Sequence, residues 1–169
     1  MVKRTYKFRL YPSKQQITSL NEILETCRNI YNKQLENKII WYEDKGQILS
    51  NQDLNSKLLD LRVLHPKMRK VHSQTLQDIN NRITKAFDNF FRRIIQGEKA
   101  GFPRFKGKNR YDSITYPQSG FKFTSQKRLK ISKIGEVSIK LHRAIKGTIK
   151  TMNIQKTSSG KWFACFSCD

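Results

Sequence analysis

The stretch Val2-Lys3-Arg4-Thr5-Tyr6-Lys7-Phe8-Arg9-Leu10, closed by Tyr11-Pro12, decides the fold. Val2, Arg4, Tyr6, Phe8 and Leu10 fall on one side of an extended chain, and Lys3, Thr5, Lys7 and Arg9 on the other. That is the two-residue period of a half-buried strand with a cationic outer face. A lone strand has no stability of its own, and the same period returns only beyond Gly107. There it runs through Phe121 and Phe123, Leu129 and Ile131, Val137, Ile139 and Leu141, Ile149 to Ile154, and Trp162, Ala164 and Phe166, punctuated by Gly120, Gly135, Gly147 and Gly160. The first strand therefore has to pair with the last sixty or so residues, and whatever lies between is looped out.

The intervening residues repeat at three and four. Ser13 with Gln16 forms a capping box ahead of Ile17, Leu20, Leu24, Cys27, Tyr31 and Leu35, a helix that reaches Trp41 or Tyr42 before Gly46. Ser50 with Asp53 opens a second helix of about three turns through Leu54, Leu58 and Leu61. Ser73 to Gln96 carries a broad apolar stripe, Leu76, Ile79, Ile83, Ala86, Phe87, Phe90, Phe91, Ile94 and Ile95, and stops at Gly97. The three phenylalanines read as core packing. The expected class is α+β, a small OB-like antiparallel β-barrel with a three-helix bundle inserted after the first strand. Residues 1–12 form the first strand, 13–106 a helical lobe of helix-turn-helix type, and 107–169 the rest of the barrel.

Charge points to the partner. Lys and Arg number 34 against 13 Asp and Glu, a formal +21 on 169 residues, while 37% hydrophobic content argues against a disordered basic tail. The densest site is Gly101-Phe102-Pro103-Arg104-Phe105-Lys106, continued by Lys108 and Arg110, a segment suited to a polyanion. No run approaches the 18 or so apolar residues of a membrane span, and Met1 to Arg9 has no signal core, so a cytoplasmic, nucleoid-associated protein without membrane contact is expected. Three cysteines, at 27, 165 and 168, do not make a disulfide framework; Cys165 with Cys168 would matter as half of a four-ligand zinc site beside a second such pair, which the sequence does not offer, so the two read as residues of a terminal strand. His65, His72 and His142 lack ligand spacing and read as surface or turn residues. No phosphate-cradling glycine loop or carboxylate cluster is present, so no catalytic residue and no metal ligand is assigned.

Four stretches occur together in order: Tyr6-Lys7-Phe8-Arg9-Leu10-Tyr11-Pro12, Cys27-Arg28-Asn29-Ile30-Tyr31-Asn32, Lys85-Ala86-Phe87-Asp88-Asn89-Phe90-Phe91-Arg92-Arg93, and Gly101 to Lys106. Together they resemble the TnpB (OrfB) family of transposon-encoded RNA-guided DNA endonucleases, and the resemblance covers essentially the whole chain. It implies a wedge barrel interrupted by a helical recognition lobe, binding guide RNA and a short DNA motif beside the target. It also implies that the RuvC-like nuclease carboxylates, with Mg, and a Zn module belong to a C-terminal half that these residues do not include. The chain alone is therefore expected to have no cofactor and no nuclease activity, its catalytic half being supplied separately or downstream. Asp169 ends a strand and lacks the apolar-Asp-x-Gly setting of the family's first catalytic carboxylate.

On that resemblance, phosphate contacts fall to Lys3, Lys7, Arg9, Arg104, Lys106, Lys108, Arg110, Lys127, Arg128 and Lys130, each of which competes with a reading as a solvated charge. Motif reading falls to Asn51, Asn55, Ser73 and Gln77 near two helix starts, since Asn and Gln can bond bidentately to adenine. A helix cap is the competing role of Ser73, where the family often has Lys. Two other readings remain, a free-standing helix-turn-helix DNA-binding regulator or transposition accessory factor, and an RNA-binding protein of ribosomal type.

Overall fold

The computed structural model describes residues 3–169, so Val2 of the opening strand pattern lies outside the described residues. Strand β1 (Arg4–Tyr11) is followed by helices α1 (Lys14–Lys45) and α2 (Asn51–Leu64), a 3-10 turn at Pro66–Lys70, and helix α3 (Ser73–Ile95). Strands β2 (Ser113–Tyr116), β3 (Phe121–Ser125), β4 (Arg128–Ile131), β5 (Gly135–Lys140), β6 (Ile149–Lys156) and β7 (Trp162–Cys168) complete the chain. The helices are thus inserted between the first and second strands. All seven strands form one antiparallel sheet in the order β2-β6-β7-β1-β5-β4-β3, with β1 paired to β7 on one side and β5 on the other.

That order forces the sheet to curl. β2 and β3 are its two edges, yet only Pro117 to Gly120 separate them in sequence. Six strand spacings in a flat sheet would hold the edges about 29 Å apart, whereas the connection reaches at most about 18 Å. Curling brings the inner faces together: the Phe166 ring on β7 lies 5.3 Å from Phe123 and 6.1 Å from Phe121 on the far edge. Gly120 closes the turn at φ +93, where a Cβ would meet the rings of Tyr116 at 2.8 Å and His72 at 2.9 Å, so only glycine fits. Tyr6, Phe8, Leu10, Leu129, Val137, Ile139, Ile154, Trp162 and Ala164 fill the interior.

Local signals set the helix ends. Gln16 N–H donates to Ser13 Oγ at 3.2 Å and Ser13 N–H to Gln16 Oε1 at 3.0 Å, closing the first capping box. Gly46 stops α1 in the left-handed region, at φ 65. Ser50 and Asp53 form the second box, and α2 runs 14 residues, its buried side ending at Leu61 and its last residues, Arg62 to Leu64, exposed.

Four details depart from the sequence reading. His72, not Ser73, caps α3, and no side chain bonds there; Ser73 is the first helical residue and exposed. His72 is half-buried rather than a surface residue, because its ring stacks 5.4 Å from Tyr116 and its Nδ1 lies 3.2 Å from Ser132 Oγ. Strand β2 went unread, since its period-two signal is only Ile114 and Tyr116 before Pro117. Finally, the apolar stripe of α3 is fully buried only as far as Phe87: Phe90 is half-buried under Phe102, while Phe91 is 39% exposed and Ile95 85%, because no helix or strand packs on the helix's last turns.

Candidate nucleic-acid interface

The sequence-selected residues sort onto three surfaces. The first is the outer face of the curled sheet. The pleat that turns Tyr6, Phe8 and Leu10 inward turns Lys7 and Arg9 outward, and it does the same for Lys122, Arg128, Lys130 and Lys140 on β3, β4 and β5. Register then sets like charges directly opposite one another, Arg9 across from Lys140 and Lys122 across from Lys130. Such pairs destabilise a sheet unless an anion lies over them, and Glu136, opposite Lys130, is the one acid on this face of these three strands. Lys7 Nζ sits 4.5 Å over the Phe163 ring, and the Arg9 guanidinium 5.0 Å over Tyr11. Lys3 is exposed just before β1, and Lys127 is exposed in the β3–β4 turn. Lys127 also lines a concavity at the barrel mouth with Tyr11, Lys140, His142 and Arg143. Lys140 and Arg143 were not selected from sequence, because only the register carries the signal.

The second surface is a cleft of about 1180 Å³ between α1, the segment 103–112 and the end of β6. Arg28, Arg104, Lys106, Lys108, Arg110 and Lys156 line it, with Glu25 and Asp112 as its acids. Glu25 is already committed: the hydrogen bond from Arg28, at 2.6 Å, and the charges of Arg28 and Lys108 hold its carboxyl below the usual range. Two of the quoted stretches meet here. Asn32 clamps the main chain of Lys106 on both sides, Nδ2 donating to the carbonyl at 2.9 Å and Oδ1 accepting from the N–H at 2.7 Å, while Arg28 donates to the same carbonyl at 3.0 Å. Upstream, Phe102 packs edge-on against Phe87 and Phe90, at 5.5 and 5.4 Å. Lys106 Nζ turns inward over Tyr31, at 5.6 Å, while Arg104, Lys108 and Arg110 are exposed. Lys106 is therefore half brace, half charge.

The third surface is helical. Ser73, Gln77 and Asn81 follow one another at four-residue spacing along α3, all exposed, and Asn51 of α2 donates to Asn81 Oδ1 at 2.6 Å. Asn55 points into the bundle instead: its Oδ1 accepts from Asn80 at 2.8 Å, and Asn80 in turn accepts from Gln34 at 3.0 Å. Gln34 also donates to the Leu54 carbonyl at 2.7 Å, so a buried polar chain ties α1, α2 and α3 together. The two helix starts do not converge, since the beginning of α2 meets α3 two turns beyond its first residue.

Five ion pairs occur among the described residues, against a formal +21 for the chain. Each pair takes one cation and one acid, so the whole of that cationic excess has no acid within the chain to match it. Cys165 and Cys168 lie three apart on β7 and so face opposite sides of the sheet, and no group of three or more His, Cys, Asp or Glu among the described residues could hold a metal. No helix among them is long and apolar enough to cross a membrane.

A curled antiparallel sheet with a strongly cationic outer face and a helical insertion has a surface suited to a polyanion. Residues 1–47, which comprise β1, α1 and its Gly46 cap, match a family model of the OrfB type described as a helix-turn-helix domain. The chain is 26% identical over 162 residues to an Escherichia coli (strain K12) protein whose provisional name is RNA-guided DNA endonuclease InsQ, covering 95% of this chain and 39% of that protein. A provisionally named RNA-guided DNA endonuclease of Streptomyces pristinaespiralis is also 26% identical, over 99% of this chain and 42% of its own length. Among solved structures, Cas12f1 in its complex with sgRNA and target DNA shares the fold at a TM-score of 0.52 and 17% identity, over all of this chain and 48% of that one. The chain is similar to proteins of the TnpB (OrfB) type and spans about two fifths of the length of these curated relatives.

Proposed function

We propose that this chain holds a guide RNA and reads a short duplex DNA motif beside the target, the two binding tasks of an RNA-guided endonuclease. The observation that carries the reading is the outer sheet face, where Arg9 and Lys140, and Lys122 and Lys130, stand opposite each other without intervening acids. A folded protein holds such pairs at a cost that a bound phosphate backbone would reverse. The sheet would serve as an OB-like wedge, with Lys3, Lys7, Arg9, Lys127, Arg128 and Lys130 on RNA phosphates and the 103–112 cleft extending that track through Arg104, Lys106, Lys108 and Arg110. Residues 13–106 would form the recognition lobe between wedge segments 1–12 and 107–169. Ser73 and Gln77, exposed along α3, are the better placed motif readers, with Asn51 bridged to the same stripe and Asn55 supporting it from beneath. Strand cleavage, with its Mg, and the Zn module are assigned to the further length of the relatives, so these residues bind and do not cut.

The relatives' names and the RNA-and-DNA complex of the structural neighbour support this assignment. A second reading, a free-standing DNA-binding regulator, draws on the helix-turn-helix description of residues 1–47. One experiment separates them. The chain is expressed beside its native flanking DNA, purified in moderate salt and treated with nuclease, and the protected RNA is sequenced. A single discrete transcript from the transposon end is expected. Bulk RNA or none, with sequence-specific duplex binding retained, would overturn the guide-RNA reading in favour of the regulator.

A further inference from the structure

We propose that Phe105 is a stacking platform for an unpaired base of the bound RNA, held in position by Asn32 and Arg28. The inference rests on the RNA-binding reading above and sharpens it: at the 103–112 cleft the ligand is a single-stranded stretch, not a duplex.

Residues 103–105 form a short bridge between two anchors. On one side Phe102 is fixed by the rings of Phe87 and Phe90. On the other the main chain of Lys106 is fixed by three hydrogen bonds with α1, two accepted by its carbonyl and one donated by its N–H. Between the anchors, Arg104 is exposed and Phe105 is 55% exposed, with no aromatic or cationic partner over its ring and no place against the core. Every other phenylalanine but Phe163 packs against a further ring, and Phe163 lies under Lys7 and Arg9. An open aromatic face on a braced backbone, flanked by Arg104, Lys108 and Arg110, has the two components of single-strand recognition, a flat surface for a base and cations for its phosphates. A duplex keeps its bases stacked on one another and has no use for such a face. Asn32 bonds the Lys106 main chain, and Arg28 bonds the same main chain while pairing with Glu25, so both are positioning residues: they set where the ring stands.

The test uses the full chain and two probes, a short single-stranded RNA carrying a fluorescent adenine analogue quenched by stacking, and a blunt RNA duplex of equal length. Phe105→Leu is expected to weaken the single strand by about 5- to 150-fold and abolish the quenching. It leaves the duplex affinity and the salt dependence unchanged, because no charge is lost. Phe105→Trp restores both affinity and quenching. Asn32→Ala reduces quenching with every cation and the ring still present, and combined with Phe105→Leu it adds less than its own effect. Equal loss for single strand and duplex, no loss for either, or a tryptophan that fails to restore quenching overturns the platform. If charge reversal at Lys7 and Arg9 still abolishes RNA binding in that case, the functional reading stands without it; a chain that binds neither probe overturns both.

Discussion

Asn32→Ala measures how firmly the cationic segment is held. Asn32 makes two hydrogen bonds to the Lys106 main chain, at 2.7 and 2.9 Å. Each contributes about 0.5–1.5 kcal/mol net. The carbonyl keeps its bond from Arg28 at 3.0 Å, so its share of the loss is small, whereas the half-buried N–H loses its only protein acceptor. The expected destabilisation is about 1–2 kcal/mol, or roughly 2–8 °C in Tm for a chain of this size. Arg28→Ala with Asn32→Ala strips the carbonyl of both partners, and the pair should exceed the sum of the single changes by about 0.5–1 kcal/mol. The ion pair that Arg28 makes with Glu25, whose carboxylate is 51% exposed, adds little to this. Urea unfolding followed by circular dichroism gives the free energies, and amide exchange at Lys106 reads the clamp directly. A loss below about 0.3 kcal/mol with the Lys106 amide still protected would refute the reasoning, since the bonds would then hold nothing in place.

Phe166→Ala removes the ring that meets Phe8, Phe121 and Phe123 inside the curled sheet; thermal unfolding should show a loss of about 3–5 kcal/mol. Stability should fall with acid through His72, whose pKa burial and the charge of Lys133 hold below the ordinary 6.5 against the opposing hydrogen bond with Gln74. The unfolded chain takes up a proton before the folded one does, so the contribution is complete above pH 6.5 and is lost as pH falls toward the folded value. His72→Asn should flatten that slope in urea titrations repeated across the range. Burial pushes the Cys27 thiol up to about 12, so it should resist alkylation in the native state at neutral pH and react once urea unfolds the chain, read by mass spectrometry.

The local signals were legible because their causes are local. A capping box closes within four residues, as Ser13 with Gln16 and Ser50 with Asp53 do, and alternation along Tyr6, Phe8 and Leu10 follows from the pleat alone. Strand β2 was missed because four residues before a proline carry too little pattern to be told from a turn, and it exists because β6 pairs with it. The helix begins at Ser73 as its apolar stripe suggests, but the cap position, the competing role for Ser73, falls to His72, which is held by its contacts with Tyr116 and Ser132. Asn55 looked like a base reader because of its place near a helix start; the partner that occupies it, Asn80, is 25 residues away.

By itself the sequence determined the class of the protein: a strand that must find its partners at the other end of the chain, three helices between, two of them opened by capping boxes, and a cationic excess too large for any internal pairing. These follow from composition and from periods of two and about 3.6, which each residue expresses with its neighbours. Only the tertiary structure decided that the sheet curls so that its edges β2 and β3 approach across the turn at Gly120, that Arg9 faces Lys140, and that Asn32 grips the main chain at Lys106. Each of these depends on register or approach between residues far apart in sequence. Pairing across such separations is set by the packing of whole elements, to which no single stretch of chain has access.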